Sequence, residues 1–412
     1  MKLPRSAAAV AAVAVLGAAA APAAAADPTP SASPSIVIPS GLYGTGDPTY
    51  DGVWRQSLAL LAQHTVGIRP AGKAVDWLTG QQCANGAYAA FRADPSKACD
   101  AKTMVDTNST AAAVQALAAL GGHRAQTSEA VSWLTSVQNA DGGWGYTPGG
   151  ASDTNSTSVV IGALAAAGEK PAEVVKNGKS PYDALLKLAL PCGDGGAFAY
   201  QPDKAGKLTA NADATAAGVL GALGQGMVAK AGKAQGAAGC AAPGTPAQAA
   251  ANGAAYLAAA VAEDGHLVSA LPGADDQPDY GNTADAVVAL AAQGGAEQAA
   301  KPLDWLRQNS AAWAKQSGPA AYAQLVLAAH AAGADPRHFG GQDLVAQLNA
   351  TGPAPQAAPA ASATASAAGA QAATEKKDDG SSFSVWWFVG VCLVAGAGVG
   401  FLLSGRLKGR RA

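Results

Sequence analysis

Apolar residues recur at helical spacing along most of the chain, in two alternating kinds of segment. One kind carries a Trp-Leu pair on one face and polar or charged side chains on the other, as in AVDWLTGQQ (74–82) and AVSWLTSVQ (130–138). The other kind is apolar around most of its circumference, as in TAAAVQALAAL (110–120) and TSVVIGALAAA (157–167). A helix that is apolar on all sides is buried, whereas an amphipathic helix covers it. The pattern therefore predicts pairs of one inner and one outer helix.

A glycine turn and a short polar cluster lead into each predicted inner helix. The clearest turns end in an aromatic residue, in NGAY (85–88) and DGGW (141–144). Side chains of Asp, Asn, Ser and Thr accept hydrogen bonds from the free N–H groups of a helix's first turn, so the cluster that follows each turn is predicted to cap a helix. The cluster reads D-T-N-S-T at 106–110 and 153–157, with weaker copies at 211–215 and 281–294.

Helical hairpins that repeat about every 50 residues are typical of a solenoid or of a closed ring. About twelve helices, or about six hairpins, are predicted between Tyr50 and Leu348. Because the inner helices look covered on all sides, the predicted fold class is all-α, an α/α toroid, with an open superhelix as the alternative. In a toroid the polar clusters would gather at one mouth of the ring.

The two ends of the chain indicate export and a membrane anchor. Lys2 and Arg5 precede an apolar run that ends in small residues, as in a secretory signal peptide. The uncharged stretch 383–403 has about the 20 residues that a membrane-spanning helix needs, and the basic run RLKGRR (406–411) follows it. The positive-inside rule places this basic tail in the cytoplasm and the rest of the chain outside the cell.

Low-complexity segments separate these ends from a long central body. Stretches rich in Ala, Pro and Ser that lack branched apolar residues cannot bury a core. The predicted organisation is a signal peptide (1–26), a flexible lead-in (27–47), a toroidal body (48–350), a disordered Ala/Pro/Ser linker (351–382), one C-terminal transmembrane helix (383–404) and a basic cytoplasmic tail (405–412).

Four cysteines lie in the region that is predicted to be exported. Cysteines in an oxidising compartment usually form disulfides. Three pairings are possible, and Cys83–Cys99 with Cys192–Cys240 is favoured because each bond would close a single loop between helices. A thiolate metal site is the alternative, but it would need a close C-x-x-C spacing that this sequence lacks, so no metal site is predicted.

Two stretches of the body resemble known repeats. AVSWLTSVQNADGGWGY (130–146) is similar to the Gln-Trp repeat of squalene and other triterpene cyclases, with Gln138, Gly143 and Trp144 at the signature positions. DTNSTAAAVQALAALG (106–121) resembles the helix starts of the transcobalamin and intrinsic factor α-domain. Both belong to the terpenoid cyclase/protein prenyltransferase α/α-toroid superfamily of prenyltransferase/squalene oxidase repeat proteins. The resemblance implies a toroid, whereas the superfamily's functions range from cyclases and prenyltransferases to complement thioester domains and vitamin carriers.

The enzymes of this superfamily use residues that the sequence lacks at the matching positions. Cyclases resemble D-x-D-D-T-A, whose middle Asp protonates an alkene, but 106–111 and 211–216 hold no paired carboxylates. The acid-rich stretch GADDQPDYG (273–281) has the wrong spacing and is predicted to be a solvated loop. A zinc-dependent prenyltransferase would need an Asp-x-Cys, and none occurs. No catalytic residue is therefore predicted, and a terpene cyclase or prenyltransferase-type enzyme is kept as the alternative.

The prediction that survives is a ligand-binding ring at the cell surface. The resemblance implies a corrinoid- or isoprenoid-like ligand and no required cofactor. It also implies a partner, either an uptake transporter or a second binding domain that closes over the ligand. The charge content of 14% and net charge of −2 argue against nucleic acid. A cell-envelope protein-interaction module is the second alternative.

The candidate binding residues are the polar starts of the inner helices and the aromatic residues beside them. They could equally be structural caps and core residues, because a cap by itself contributes about 1 kcal/mol. The candidates are Asp106, Thr107, Asn108, Asp153, Thr154, Asn155, Asn211, Asp213, Tyr88, Trp144, Tyr146, Phe198, Tyr280 and Asn282.

Overall fold

The computed structural model of the protein describes residues 37–233, 240–269 and 277–357. The predicted signal peptide (1–26), transmembrane helix (383–404) and basic tail (405–412) lie outside these ranges, as do residues 358–382 of the predicted linker. Residues 351–357 were predicted to belong to the disordered linker, but they pack on the body. The Gln356 N–H donates to the Arg69 carbonyl at 2.9 Å, and its side-chain amide donates to the Pro70 carbonyl at 2.9 Å. Among the helices within the described ranges, none combines the length and the apolar character needed to cross a bilayer.

The described residues form thirteen α-helices and four short strands. The helices are α1 (Gly52–Thr65), α2 (Gly72–Gly80), α3 (Thr107–Leu120), α4 (Arg124–Ser136), α5 (Thr154–Ala166), α6 (Pro181–Leu188), α7 (Ala212–Ala222), α8 (Pro246–Ala260), α9 (Tyr280–Gly294), α10 (Ala296–Asn309), α11 (Ala311–Ser317), α12 (Pro319–Ala331) and α13 (Leu344–Ala350). The strands are β1 (Tyr88–Ala89), β2 (Val105–Asp106), β3 (Leu267–Ser269) and β4 (Gln277–Asp279), paired antiparallel as β1–β2 and β3–β4.

Six of the helices pack against one another in a closed circuit. In order around the circuit, α1 contacts α3, then α5, α7, α9 and α12 follow, and α12 returns to α1. An amphipathic helix follows each of them in sequence, namely α2, α4, α6, α8, α10 and α13, with the short α11 inserted before α12. The prediction of a mostly helical repeat is confirmed. The closed contact order is the one expected of an α/α toroid and differs from that of an open superhelix.

Four inner helices begin with the same side-chain cap. In α3, α5, α7 and α9, an Asp or Asn side chain accepts a hydrogen bond of 2.6–3.0 Å from the backbone N–H three residues later. This satisfies one of the N–H groups that have no partner within the helix. The capping residues are Asp106, Asp153, Asn211 and Asp279.

A threonine four residues after each cap fastens the preceding turn to the helix. The four threonines are fully buried, and each hydroxyl accepts a hydrogen bond of 2.9–3.1 Å from the backbone N–H of a residue in the turn. The pairs, helix residue first, are Thr110 with Tyr88, Thr157 with Trp144, Thr215 with Phe198 and Thr283 with Leu267. The repeated turn, aromatic and polar cluster therefore form one structural unit.

The structure corrects the register of the fourth polar cluster. The sequence analysis read 281–294 as the cluster and placed Asp279 in a solvated loop. Asp279 instead caps α9, and its carboxylate accepts hydrogen bonds from both the backbone N–H and the side-chain amide of Asn282, at 3.0 and 2.8 Å. The spacing of four residues between the cap and the buried threonine fixes this register, because Thr283 must reach back to the turn.

Glycine in the turns is required by close contact with the next outer helix. Gly86 and Gly142 adopt φ values of +90° and +92°, a region that other residues seldom occupy. A Cβ atom at Gly86 would also clash with the carbonyl oxygen of Glu129 in α4, and one at Gly142 with that of Ser180 at the start of α6. The turn of each repeat is thus packed against the following repeat.

The segment before α1 closes the ring against the end of the chain. Residues 27–47 were predicted to be a flexible lead-in, but Leu42 and Tyr43 are buried. The Tyr43 hydroxyl donates to Gln63 Oε1 at 2.9 Å, and the Gly44 N–H donates to the Thr351 carbonyl at 2.8 Å. This part of the lead-in is therefore ordered, because the bulky ring of Tyr43 fills the seam between the first and last helical pairs.

Two disulfides join the loops of the body. Cys83 pairs with Cys99 and Cys192 pairs with Cys240, which is the pairing favoured from the sequence. They close loops with separations of 16 and 48 residues, the longer of which joins the turn after α6 to the segment before α8.

We expect the buried threonines to contribute measurably to stability. Thr157→Val leaves the Trp144 N–H without its acceptor and should lower the free energy of unfolding by about 1–3 kcal/mol, measured by denaturant titration. Thr157→Ser keeps the hydroxyl and should lose less. Thr135→Val, at an exposed position on α4, should behave like wild type. Equal losses in the serine and valine variants at position 157 would contradict the hydrogen-bond explanation.

Candidate ligand site

A cavity of about 240 Å³ lies between the inner helices. All six inner helices contribute residues to it, together with the segment 225–227 that follows α7. Its wall is mainly apolar, and its largest apolar side chains are Trp54, Leu58, Val159, Leu220, Met227, Val288 and Leu327.

The polar side chains of the cavity come mainly from the first two turns of the inner helices. Asn108, Asn155 and Asp213 are each the second residue of their helices, α3, α5 and α7. Asp285 and Gln324 are each the sixth residue of α9 and α12. The predicted gathering of polar groups near the helix starts is therefore present, and it reaches into the ring itself.

Asn155 and Asp213 form a hydrogen-bonded pair across two helices. The Asn155 side-chain amide donates to Asp213 Oδ2 at 2.7 Å. Because an ionised carboxylate only accepts hydrogen bonds, this contact turns Asn155 Oδ1 away, and that atom is buried without a partner among the described residues. Burial raises the pKa of Asp213, while the bond from Asn155 acts in the opposite direction.

Asp285 is the most perturbed acid of the cavity. Burial, followed by repulsion from Asp213, raises the pKa of its carboxyl to about 7. The Gln324 side-chain amide faces both of its oxygens at 3.4 Å, which is long for a hydrogen bond and offsets little of this effect. The carboxyl is partly accessible only because it borders the cavity. Asp285 is therefore divided between its neutral and ionised forms near neutral pH.

The other end of the cavity is closed by a short segment after α7. Gln115 on α3 accepts a hydrogen bond from the Met227 N–H at 2.8 Å and donates one to the Val159 carbonyl at 3.1 Å. Gly226 packs against Gln115, and a Cβ atom added to Gly226 would clash with the side-chain amide oxygen of Gln115. Gly226 is also close to α5, because a Cβ atom added to Gly162 would lie only 2.6 Å from the Cα atom of Gly226. Gln115 and this segment thus form the floor of the cavity.

The predicted candidates separate into cavity residues and structural residues. Asn108, Asn155 and Asp213 line the cavity. Three others, Asp106, Asp153 and Asn211, cap helices. Burial raises the pKa of the Asp106 and Asp153 carboxyls. Hydrogen bonds from Ser109 and Ser156 partly counteract this rise. The residues with core or capping roles are Asp106, Thr107, Asp153, Thr154, Asn211, Tyr88, Trp144 and Phe198.

The last three candidates lie outside the cavity lining. Tyr146 is 48% exposed on the turn before α5. Tyr280 packs between Trp305 and Trp313, with ring centroids 5.0 and 5.5 Å away. Asn282 is held by Asp279 at the start of α9. These side chains surround the helix starts without facing the enclosed space.

The sequence analysis missed Asp285, Gln324, Gln115 and Trp54. A usable signal existed, since Asp285, Gln324 and Gln115 each interrupt an apolar run within an inner helix. A buried polar residue is uncommon unless it is paired or functional. In the part of the chain that the structure describes, no group of three or more His, Cys, Asp or Glu side chains could hold a metal ion.

Comparisons with known proteins give a distant structural similarity. No protein-family model and no curated protein matches the chain. Among solved structures, it is similar to ent-copalyl diphosphate synthase from Streptomyces platensis at 19% identity and a TM-score of 0.44, over 68% of this chain and 50% of that one. It is also similar to a protein from Actinoplanes at 17% identity and a TM-score of 0.31, over 67% of this chain and 99% of that one.

The chain thus matches half the length of the synthase. The predicted closeness to the transcobalamin and intrinsic factor α-domain stays a prediction. The chemistry of the cavity has to be argued from its own residues.

We expect Asp285→Asn to change how stability depends on pH. The folded pKa of about 7 lies above the unfolded value of 3.8, so the folded state holds the proton more tightly, and wild-type stability should fall as pH rises from about 4 to 7. Asn cannot ionise, so the variant should gain up to about 4 kcal/mol relative to wild type between pH 4 and pH 8. Chemical denaturation at both pH values measures this gain. The exposed control Asp76→Asn should show no such gain, and parallel pH profiles for wild type and Asp285→Asn would contradict the prediction.

Proposed function

We propose that the ring binds a small organic ligand in its central cavity and acts as a binding protein without catalysis. The observation that carries this proposal is the combination of a mainly apolar wall with polar side chains that capping does not use. Asn108, Asn155 and Asp213 follow the caps in sequence but border the cavity. A pocket with a mostly apolar wall and a few convergent polar groups is typical of small-molecule sites.

The size of the cavity limits how each predicted ligand class would bind. At about 30 Å³ for each water-sized group, 240 Å³ holds about eight such groups. An isoprenoid of one or two five-carbon units is close to this size. A corrinoid macrocycle is several times larger, so it would have to lie across the mouth with only a side group inside.

Exposed apolar side chains near the starts of the inner helices support the second geometry. Tyr50, Met104, Tyr146 and Tyr200 are between 43% and 87% exposed. The carbonyl groups of Tyr146 and Tyr200 accept hydrogen bonds from the first N–H groups of α3 and α5, at 2.8 and 3.1 Å. A flat ligand placed over the mouth would cover them on one face. Its other face would then be free for the partner that we propose, a second binding domain or an uptake transporter.

Export and membrane anchoring are part of the same proposal. Two disulfides between loops fit an oxidising compartment outside the cytoplasm. A secreted ring anchored through residues 383–404 would hold its ligand at the cell surface.

An acid-catalysed reaction on an isoprenoid is a second candidate. It is favoured by one observation, the presence of Asp285 and Asp213 together in the cavity with a pKa of about 7 at Asp285. A carboxyl that keeps its proton near neutral pH can act as a general acid. In that case the protein would release a cyclised or rearranged product, whereas a binding protein would return its ligand unchanged.

Binding can be tested with one probe of each class on the full-length protein. We expect saturable calorimetric binding of geraniol or of cyanocobalamin, without new products by mass spectrometry. Leu220→Phe fills the cavity and should weaken geraniol binding by about tenfold or more, because the larger ring displaces the ligand. The paired substitution Tyr146→Ala/Tyr200→Ala should instead weaken the binding of cyanocobalamin.

Asp76→Asn serves as the matched surface control for both probes and should leave their affinities unchanged. Binding of neither probe would argue against the proposed function. Conversion of geraniol would replace it with the enzymatic candidate.

A further inference from the structure

The polar end of the cavity carries acidic groups and no basic group. Asp213 and Asp285 line it, and the lining residues include no Lys, Arg or His. Neither acid takes part in an ion pair within the described ranges. A buried carboxylate without a cationic partner is costly, so the site favours a ligand that supplies the opposite charge.

Unpartnered oxygen atoms line the same cavity as these acids. Ser158 borders the cavity and is 4% exposed, and its hydroxyl has no hydrogen-bond partner among the described residues. Asn155 Oδ1 and Asn108 Oδ1 are also buried and unpartnered. An ammonium group carries only donors, up to three for a primary amine, and needs several acceptors at once.

The surroundings favour an organic cation over a metal ion. Leu58, Leu220 and Val288 line the same cavity as the acids, and such side chains cannot replace the water shell of a metal ion. Trp54 adds an aromatic side chain to the lining, a residue type whose ring face attracts ammonium groups. An amine on a compact hydrocarbon body matches both parts of the cavity.

The helix starts do not oppose a cation at this end. The N-termini of helices carry partial positive charge, which by itself would repel an ammonium ion. Three of the inner helices are capped by Asp106, Asp153 and Asp279, whose carboxylates accept bonds from these N–H groups. The caps therefore offset the charge of these helix ends. Asp213 does the same in the first turn of α7, whose cap is the neutral Asn211, and Asp285 is in excess.

We propose that the ligand presents an organic ammonium group to Asp213 and Asp285, with its hydrocarbon body against the apolar wall. This inference rests on the proposed function, that the cavity is a ligand site, and narrows the ligand to amines. Asn155 positions Asp213 through their hydrogen bond, and Gln324 faces Asp285 from α12.

Ligand binding should be coupled to release of a proton. The charged groups that face Asp285 are Asp213 on α7 and Asp279 at the start of α9. Helix α12 presents the uncharged Gln324 to it. Neither α8 nor α10 lines the cavity. A cation stabilises the ionised form of Asp285, so protons compete with the amine. At pH 7, where about half of Asp285 is protonated, binding should release about half a proton per ligand.

The test compares cyclohexylamine with cyclohexanol, two probes of nearly the same shape and of a size that the cavity holds. Calorimetry on the full-length protein at pH 8 should show the amine binding about tenfold or more tightly than the alcohol. Amine affinity should fall by about tenfold to a hundredfold between pH 8 and pH 5, whereas alcohol affinity should stay constant. Titrations at pH 7 in phosphate and MOPS buffers, which differ in ionisation enthalpy and contain no primary ammonium ion, count the released protons.

Variants at the acids provide the decisive comparison. Asp285→Asn and Asp213→Asn should each lower the affinity for cyclohexylamine by about tenfold and leave the affinity for cyclohexanol unchanged. Because Asp285→Asn is expected to be at least as stable as wild type above pH 7, loss of binding there cannot be assigned to misfolding. Asp76→Asn is the matched control.

The outcomes separate this inference from the proposed function. Equal affinities for amine and alcohol, or amine binding that both acid variants retain, would overturn the ammonium site while the cavity remained a ligand site. Binding of neither compound would overturn the ammonium site as well. Only the additional failure of geraniol and cyanocobalamin would count against the proposed function.

Discussion

The first backbone N–H groups of a buried helix must find partners outside the helix, and this requirement organises the ring. Four inner helices meet it with a capping Asp or Asn, and a buried threonine one turn later ties the cap to the preceding turn. Because the unit recurs at α3, α5, α7 and α9, the starts of these helices share one end of the ring. The residue two places after the first three caps then borders the cavity, as Asn108, Asn155 and Asp213 do.

The candidate site arises where the repeat is broken. Caps, threonines and turn residues repeat from one hairpin to the next, and the threonines and the turn aromatics are buried in structural roles. Asp285, Gln324 and Gln115 are not part of this repeated unit, and they lie in helices that are built mainly of small and apolar residues. Small residues let the inner helices approach closely, so a few larger polar side chains are enough to give the remaining space a distinct chemistry.

Sequence reasoning reached the repeat and its caps more readily than the cavity. The Trp-Leu and D-T-N-S-T patterns are local, so the helices, their order and both disulfide pairs could be predicted. Asp213 and Asp285 border the same cavity although they are far apart in the sequence, and no local sequence pattern indicates that they come together. Trp144 was predicted as a binding residue because it recurs beside polar clusters, but its indole N–H donates to the Leu134 carbonyl at 2.7 Å and its ring fills the core.

The seam beside Tyr43 gives the ring a particular order of assembly. Most neighbours around the circuit are joined by a single hairpin, but α1 meets α12 only through contacts between distant parts of the chain. Beside this seam, the Gln63 side-chain amide of α1 donates a hydrogen bond of 2.6 Å to Asn349 Oδ1 of α13, 286 positions away. A chain emerging from its N-terminus would therefore leave one side of α1 uncovered until its last hairpin arrived. Closure of the circle is thus the latest step and the one most exposed to mispairing with another molecule.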